Sequence, residues 1–402
     1  MFLRVKGIGK IQDSTIEMKG ITVIAGENNT GKSTFGKILY CLFNTLHNAE
    51  DKVYTVRSSD IMRIFQGGLP RFRRNLLGQD SINDILSGHD IQKIVNDVIK
   101  SYSPVNPKPD DNIVDMLIEN LQRSIAIDKH EIQKILVTRC FEQEFSGKVN
   151  HINKPDTPGT VSLEINKNKI AVTIKADECT FLEDNVGLLH DAKYIDTPFI
   201  LDDVMNGYGS AFAGFYNVMD HRDDLLKCLI KRQSSSTVLE EVIYKQKLNN
   251  ILAEINSVVG GEFKEDDDSL FFKEQGFKDS VPLTSVSTGI KMFLIVKRLL
   301  ELGEIKERDI LIFDEPEIHL HPDWQIHFAE ILVLLQREFN LTILFTTHSP
   351  YFLRAIEVYT LRHGINERAK FYLAESEADI ANVQDITQSV DGAVQEVNTI
   401  FL

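Results

Sequence analysis

Gly26-Glu-Asn-Asn-Thr-Gly-Lys-Ser-Thr34 is the stretch on which the reading of this chain turns. It has the form G-x-x-x-x-G-K-S, from Gly26 through Gly31 and Lys32 to Ser33, the spacing of a loop that wraps phosphate groups. Ahead of it, Ile21-Thr-Val-Ile-Ala25 is a short apolar, β-branched run suited to a buried strand. Behind it, Thr34 to Phe43 carries apolar residues at helical spacing. Strand, glycine loop and helix in that order disfavour a chance glycine turn. Gly26 and Gly31 admit backbone conformations closed to other residues. The N–H groups of Glu27, Asn28, Asn29, Thr30 and Thr34, at the loop and helix start, then converge on phosphate oxygens. Lys32 is expected to reach the outer phosphates, and the Ser33 hydroxyl to hold Mg²⁺.

A second set of residues matches this half-site. Ile310-Leu-Ile-Phe-Asp-Glu-Pro316 is an apolar strand ending in two carboxylates. Asp314, at the strand end, suits the metal, and Glu315 suits the orientation and polarisation of an attacking water. Leu341 to Pro350 is a further strand running into Thr-Thr-His-Ser-Pro, which puts His348 at the edge where open parallel sheets bind ligands. There it can sense a terminal phosphate; its plainer role is a helix cap. Ser285-Val-Ser-Thr-Gly-Ile-Lys291 opens an apolar helix from Met292 to Leu302, and a hydroxyl plus glycine at a helix start is another anion cradle.

These four segments together resemble the ATP-binding-cassette ATPase superfamily. The resemblance implies an α/β P-loop nucleotidase of that type, with a mixed-sheet core, ATP and Mg²⁺ as cofactors, and ATP hydrolysis as the activity. It also implies that ATP is sandwiched between two heads, with Ser287, Thr288, Gly289 and Lys291 acting on the partner's nucleotide. The oligomer is then a homodimer or a larger even-numbered assembly. Val286-Ser-Thr-Gly-Ile290 departs from the usual Leu-Ser-Gly-Gly-Gln, which weakens a transporter reading. Asp314 to Pro322, Asp-Glu-Pro-Glu-Ile-His-Leu-His-Pro, is similar to the OLD-type and RecF-like heads related to SMC proteins. The similarity covers roughly 1–48 and 260–365, and the segment after Arg368 is too short for the TOPRIM nuclease domain of OLD proteins. The expectation is a stand-alone OLD-like ATPase, the sensor or regulator of an anti-phage system with a separate nuclease or toxin as effector. A RecF- or SMC-like DNA-repair clamp and a transporter motor are the alternatives.

Bulk properties bound these readings. A length of 402 residues suffices for two or three domains. The split expected is a head from 1–48 and 241–402 around an insertion, 49–240, that is largely helical. A formal charge of −15, from 59 acidic and 44 basic residues, argues against wrapping nucleic acid nonspecifically, though a local basic groove stays open. Four dispersed cysteines form no C-x-x-C pair, so neither zinc ribbon nor disulfide framework is expected, and a cytoplasmic setting fits. No run of 18 apolar residues suggests a membrane span.

Within the insertion, Ser81–Leu86 and Asp90–Ile99 have helical spacing, as does Asp111–Phe141 with an interruption near Asp128. Thr160 to Ile174 reads as a hairpin turning at Asn166-Lys-Asn168, and Lys193–Leu201 as another strand. Lys231–Thr237 reads as a polar loop, Val238–Val259 as an amphipathic helix stopped by Gly260-Gly261, and Asp266–Asp268 as an acidic turn. Gln143 is a candidate for the glutamine that links nucleotide to the inserted lobe in the resembling family, against an ordinary exposed glutamine. Arg71, Arg73 and Arg74 around Phe72 could touch nucleic acid or form a solvated face. His319 and His321 suit either a metal or, with Asp323, a dimer seam; Trp324 suits packing.

Overall fold

The computed structural model describes residues 1–73, 76–103, 106–204, 220–230, 238–266, 269–377 and 380–390. The chain opens with β1 (Phe2–Ile8), β2 (Ile11–Glu17) and β3 (Ile21–Gly26), and the glycine loop leads into α1 (Lys32–Leu46). Five helices follow: α2 (Ala49–Gly68), α3 (Gln79–Leu86), α4 (Ile91–Tyr102), α5 (Asp111–Ala126) and α6 (Lys129–Glu144). Next come β4 (Gly159–Ile165), β5 (Asn168–Lys175), β6 (Glu178–Asp184), β7 (Ala192–Ile195), α7 (Ile200–Val204), α8 (His221–Ile230) and α9 (Val238–Val258). The last stretch holds β8 (Gly261–Asp266), β9 (Ser269–Glu274), β10 (Val281–Pro282), α10 (Thr288–Glu301) and β11 (Ile310–Asp314). It ends with α11 (Pro322–Phe339), β12 (Thr342–Thr347), α12 (Pro350–Arg362), β13 (Ala369–Glu377) and β14 (Ile380–Asp385).

Eleven strands form one mixed sheet in the order β6-β5-β4-β1-β2-β14-β13-β3-β12-β11-β7. The run from β13 to β7 is parallel throughout. Its central strands are apolar on both faces, as sheets covered by helices require. Ile21, Val23, Leu311, Phe313, Ile343 and Phe345 join α10, α11 and α12 in one core. From β6 to β2 the sheet is antiparallel, β2 meets β14 in parallel, and β14 returns antiparallel to β13. The hairpin read from sequence is there: β4 pairs with β5 through Asn166 and Lys167, both at positive φ. β6 extends it beyond what the spacing suggested. A separate three-stranded sheet has the order β10-β9-β8.

The chain divides into two compact units, 1–47 with 137–402, and 48–136. Among the described residues of the smaller unit, every regular element is a helix. Asp90 and Asp110 cap α4 and α5 by accepting from Lys93 N and Ile113 N, contacts of about 1 kcal/mol each. Ile61, Phe65, Val95, Val98, Leu117 and Leu121 form its core. Phe72 stacks on Phe65 at 5.4 Å between ring centroids, so this aromatic is a packing residue; Arg74 lies outside the described residues. The boundary drawn at 240 differs from the compact units because β4, β5, β6 and β7 hydrogen-bond into the large sheet. The extended run read over Lys193–Leu201 is also shorter: β7 stops at Ile195, Pro198 intervenes, and α7 begins at Ile200. The polar stretch 231–237 and two of the three residues of the acidic turn lie outside the described residues. Among the described residues no helix is long and apolar enough to cross a membrane.

Candidate active site

Neighbouring parallel strands bring the motifs together. Register pairs Asp314 with Thr346, Thr347 with Ala25, and Phe313 with Ile195. The carboxyl ends of β3, β12, β11 and β7 therefore align along one edge. Asn28, Asn29, Gly31, Lys32, Ser33, Thr34, Asp196, Asp314, Glu315 and Ile318 line a cleft of about 440 Å³ there.

The glycine loop is shaped by close approach. A Cβ on Gly26 would lie 2.2 Å from the Ala374 carbonyl oxygen of the adjoining strand, so no side chain fits. Gly31 caps α1 with φ of 81°, and Asn29 also takes a left-handed conformation. Thr30 Oγ1 donates to Glu27 O at 2.8 Å and closes the loop on itself. The buried Lys32 side chain threads back beneath it, its Nζ donating to Gly26 O at 2.9 Å and Glu27 O at 2.6 Å.

The carboxylate strand meets this loop directly. Ser33 Oγ donates to Asp314 Oδ1 at 2.9 Å across 281 positions of sequence. Thr346 Oγ1 donates to the same oxygen, and Tyr194 Oη donates to Asp314 Oδ2 at 3.2 Å. Hydroxyl and carboxylate oxygens converging beside a phosphate loop are hard donors of the kind Mg²⁺ takes, with water and phosphate completing its shell. Ser33 and Asp314 are the residues that would hold it.

Glu315 sits one residue beyond the strand with φ of 48°, a conformation rare for a residue with a side chain and characteristic of functional sites. Its N–H donates to both Thr346 Oγ1 at 3.1 Å and Thr346 O at 3.2 Å, which over-determines the turn. Its carboxylate lies 3.2 Å from Lys32 Nζ and 3.4 Å from His348 Nδ1. The His348 contact, opposed by burial and aided by Lys32, holds the Glu315 carboxyl below the usual range. Reciprocally, the Glu315 contact raises His348 against its partial burial. Glu317 is buried beneath this pair, and burial pushes its carboxyl up. It accepts from Thr347 Oγ1 and, at 3.0 Å, from His348 N, which fixes the histidine turn.

Sequence reasoning missed Asp196, Tyr194, Thr346 and Glu317. Asp196 had a signal: it comes directly after a short buried strand, one position beyond the Ile195–Phe313 pair, as Asp314 does on the neighbouring strand. It pairs with Arg222 and lies 3.1 Å from His221 Nε2. Burial alone would raise Asp196, but these two partners bring it down to about 2. Gln143 is exposed on α6, whereas its neighbour Glu144 turns inward onto His221.

The helix-start residues stand apart from this cleft. Ser287, Thr288, Gly289 and Lys291 are not among its lining residues. Ser287 is exposed at the N-cap of α10 and its side chain makes no capping bond. Gly289 packs where a Cβ would meet His319 O at 2.8 Å and the Trp324 ring at 3.1 Å, and Trp324 packs edge-on against Phe293. Lys291 is buried and ion-paired with Asp202 of the same chain, with the Phe199 ring 5.7 Å from Nζ. His321 caps α11 by accepting from Asp323 N at 3.3 Å. No cluster of three or more His, Cys, Asp or Glu is arranged as a metal cage among the described residues.

Residues 1–353 match the family model described as an AAA ATPase domain. The chain is also similar to the SMC head domain from Thermotoga maritima, at 13% identity and a TM-score of 0.42, covering 96% of this chain and 97% of that one. The SMC head bound to the C-terminal winged-helix domain of ScpA matches at 11% identity and a TM-score of 0.47, with the same coverage. The SMC head with an extended coiled coil, bound to the C-terminal domain of ScpA from Pyrococcus furiosus, matches at 12% identity and 0.43, covering 100% and 99%.

Proposed function

Because the chain belongs to the family of AAA ATPase domains, we propose that it binds and hydrolyses Mg-ATP and works as a nucleotide-gated switch between copies of itself. The observation that carries this is the joining of two distant half-sites, with Ser33 Oγ 2.9 Å from Asp314 and Lys32 Nζ 3.2 Å from Glu315. Mg²⁺, when bound, would neutralise charge on the outer phosphates. Lys32 and the loop N–H groups bind the phosphates. Glu315 is the general base that takes a proton from water.

The contacts of Glu315 supply a gate. Lys32 and His348 both stabilise its charged form, and a carboxylate so stabilised is a poor base. A terminal phosphate attracts the same two cations. As they turn to it, the Glu315 carboxylate loses its partners and gains basicity where water must be activated. Ser287 and the first N–H groups of α10 form a donor set outside the cleft of their own chain. They are suited to the terminal phosphate held by a second copy, with Gly289 keeping that helix end close to the His319 turn. ATP can drive closure only by binding the closed pair more tightly, and contacts from both copies provide that difference.

ATP turnover and light scattering with ATP test this. Lys32→Ala abolishes nucleotide binding; Glu315→Gln keeps binding, stops turnover and accumulates the dimer. Unchanged nucleotide affinity in Lys32→Ala would refute the assignment. The sequence resemblance to OLD-like ATPases supports a role as sensor or regulator in anti-phage defence, with a separate nuclease or toxin as effector. Capture by the ATP-loaded Glu315→Gln protein tests that role. Recovery of a nuclease or toxin supports it, and DNA-stimulated turnover without such a partner would reassign the protein as a clamp of the RecF or SMC kind.

A further inference from the structure

Behind the metal side of the cleft lies a set of charged side chains that the hydrolytic scheme does not use. His221 opens α8, and both its ring nitrogens face carboxylates: Nδ1 is 2.7 Å from Glu144 Oε2, and Nε2 is 3.1 Å from Asp196 Oδ2. The His221 N–H also donates to Glu144 Oε1 at 2.8 Å, so the carboxylate grips backbone and ring together. One face of the imidazole stacks on Tyr194, with centroids 4.4 Å apart, and Tyr40 stands edge-on to it with centroids 6.0 Å apart. Both residues that His221 touches on the cleft side lead to the phosphate pocket. Asp196 lines it beside Ser33 and Asp314, and the Tyr194 hydroxyl donates to Asp314 Oδ2 at 3.2 Å.

We propose that His221, anchored by Glu144, is a positioning residue that sets the two carboxylates on the metal side of the pocket, Asp196 directly and Asp314 through Tyr194. The inference rests on the reading that this pocket takes Mg-ATP. Its physical basis is the poor return of a buried ion cluster as a stabilising device. Burying Glu144 and the imidazole carries a desolvation cost that their attraction must first offset, and apolar residues of equal volume would often serve a core as well. What such a cluster supplies is direction. With Nδ1 hydrogen-bonded to Glu144, Nε2 in ionic contact with Asp196 and one face stacked, the ring cannot turn without breaking several contacts, so it holds one Asp196 oxygen and the plane of Tyr194 in place. Groups that orient metal-binding oxygens in this way commonly change metal affinity by about 10- to 100-fold when removed.

The experiment uses Mn²⁺ as the probe, with free Mn²⁺ read by electron paramagnetic resonance, on full-length Glu315→Gln protein loaded with ATP so that no turnover occurs. Asp196→Asn and His221→Gln are added singly to this background, and ATP affinity in EDTA is measured in parallel. The expected result is an affinity for Mn²⁺ about tenfold weaker in each variant, with metal-free ATP affinity unchanged. A merely structural role for His221 would lower both together, and that outcome, or unchanged Mn²⁺ affinity in His221→Gln, would overturn the inference. Should His221→Gln fail to fold, Glu144→Gln decides in its place, since it is isosteric and loosens the anchor of the ring; unchanged Mn²⁺ affinity there would overturn the inference. Failure of the Glu315→Gln reference itself to bind ATP would overturn the nucleotide reading, and the inference with it.

Discussion

Raising the pH should loosen this protein at one identifiable place. Burial works against a charged His221 ring, but Asp196 and Glu144 outweigh it and raise its pKa from the ordinary 6.5 to about 9. Tyr40 and Tyr194 are the other ring neighbours, and Arg222 acts on it through Asp196. Below pH 6.5 the ring is protonated in both folded and unfolded chains, and its stabilisation is fully present. Between 6.5 and 9 the unfolded chain releases the proton while the folded one keeps it, and above 9 the contribution is gone. At 1.36 kcal/mol per tenfold, the loss across that interval is about 3 kcal/mol. Asp196, held near 2, adds stability that disappears only in strong acid and is constant over this range. Urea unfolding of the wild-type protein and His221→Gln, free of metal and nucleotide, at pH 6 and pH 9.5 isolates the effect, because the titrating groups away from this cluster are common to both and Asp196 keeps Arg222 as a partner in the variant. The stability gap between the two proteins should shrink by about 3 kcal/mol as the pH rises. A gap that stays constant would refute the claim that the two carboxylates hold this histidine charged.

Three further outcomes are expected. Glu315→Gln should lower ATP turnover by about 10²- to 10⁴-fold with little change in ATP affinity, since it removes a base and keeps the shape; single-turnover kinetics with a binding isotherm checks this. Gly26→Ala should cost more than about 2 kcal/mol in urea unfolding, because its Cβ would lie 2.2 Å from the Ala374 carbonyl oxygen and neither strand can move aside cheaply. Asp202→Ala should destabilise by about 3 kcal/mol and Lys291→Met by less than about 1 kcal/mol, because the first strands a buried ammonium while the second leaves a carboxylate that reaches water. Equal losses in the two would mean the pair is not what holds Lys291 inside.

The readability of the site followed the spacing of its parts. Gly26 to Thr34 are adjacent in the chain, and strand, loop and helix geometry follow from local rules, so the loop was legible. Asp314, Glu315 and His348 were legible because each follows an apolar run that ends at a sheet edge. Asp196 ends such a run as well, but β7 has only four residues, and Pro198 blurred where it stopped. Gln143 was noticed for its residue type, yet Glu144 is the one that turns inward, because the facing of a helix residue depends on what packs against it. Lys291 looked available for a partner's phosphate, but within the chain Asp202 claims it.

From the sequence alone came the class of chemistry: a phosphate loop, a strand with paired carboxylates and a histidine turn, each encoded by neighbours within about ten positions. Only the tertiary structure decided how they meet. The order β3-β12-β11-β7 puts Ser33 against Asp314, Lys32 and His348 against Glu315, and Asp196 in the same cleft. It also gave His221 and Glu144, 77 residues apart, a common task. The reason is that hydrogen-bond register between strands is set by packing over the whole sheet, and no local pattern in the chain records which strand lies beside which.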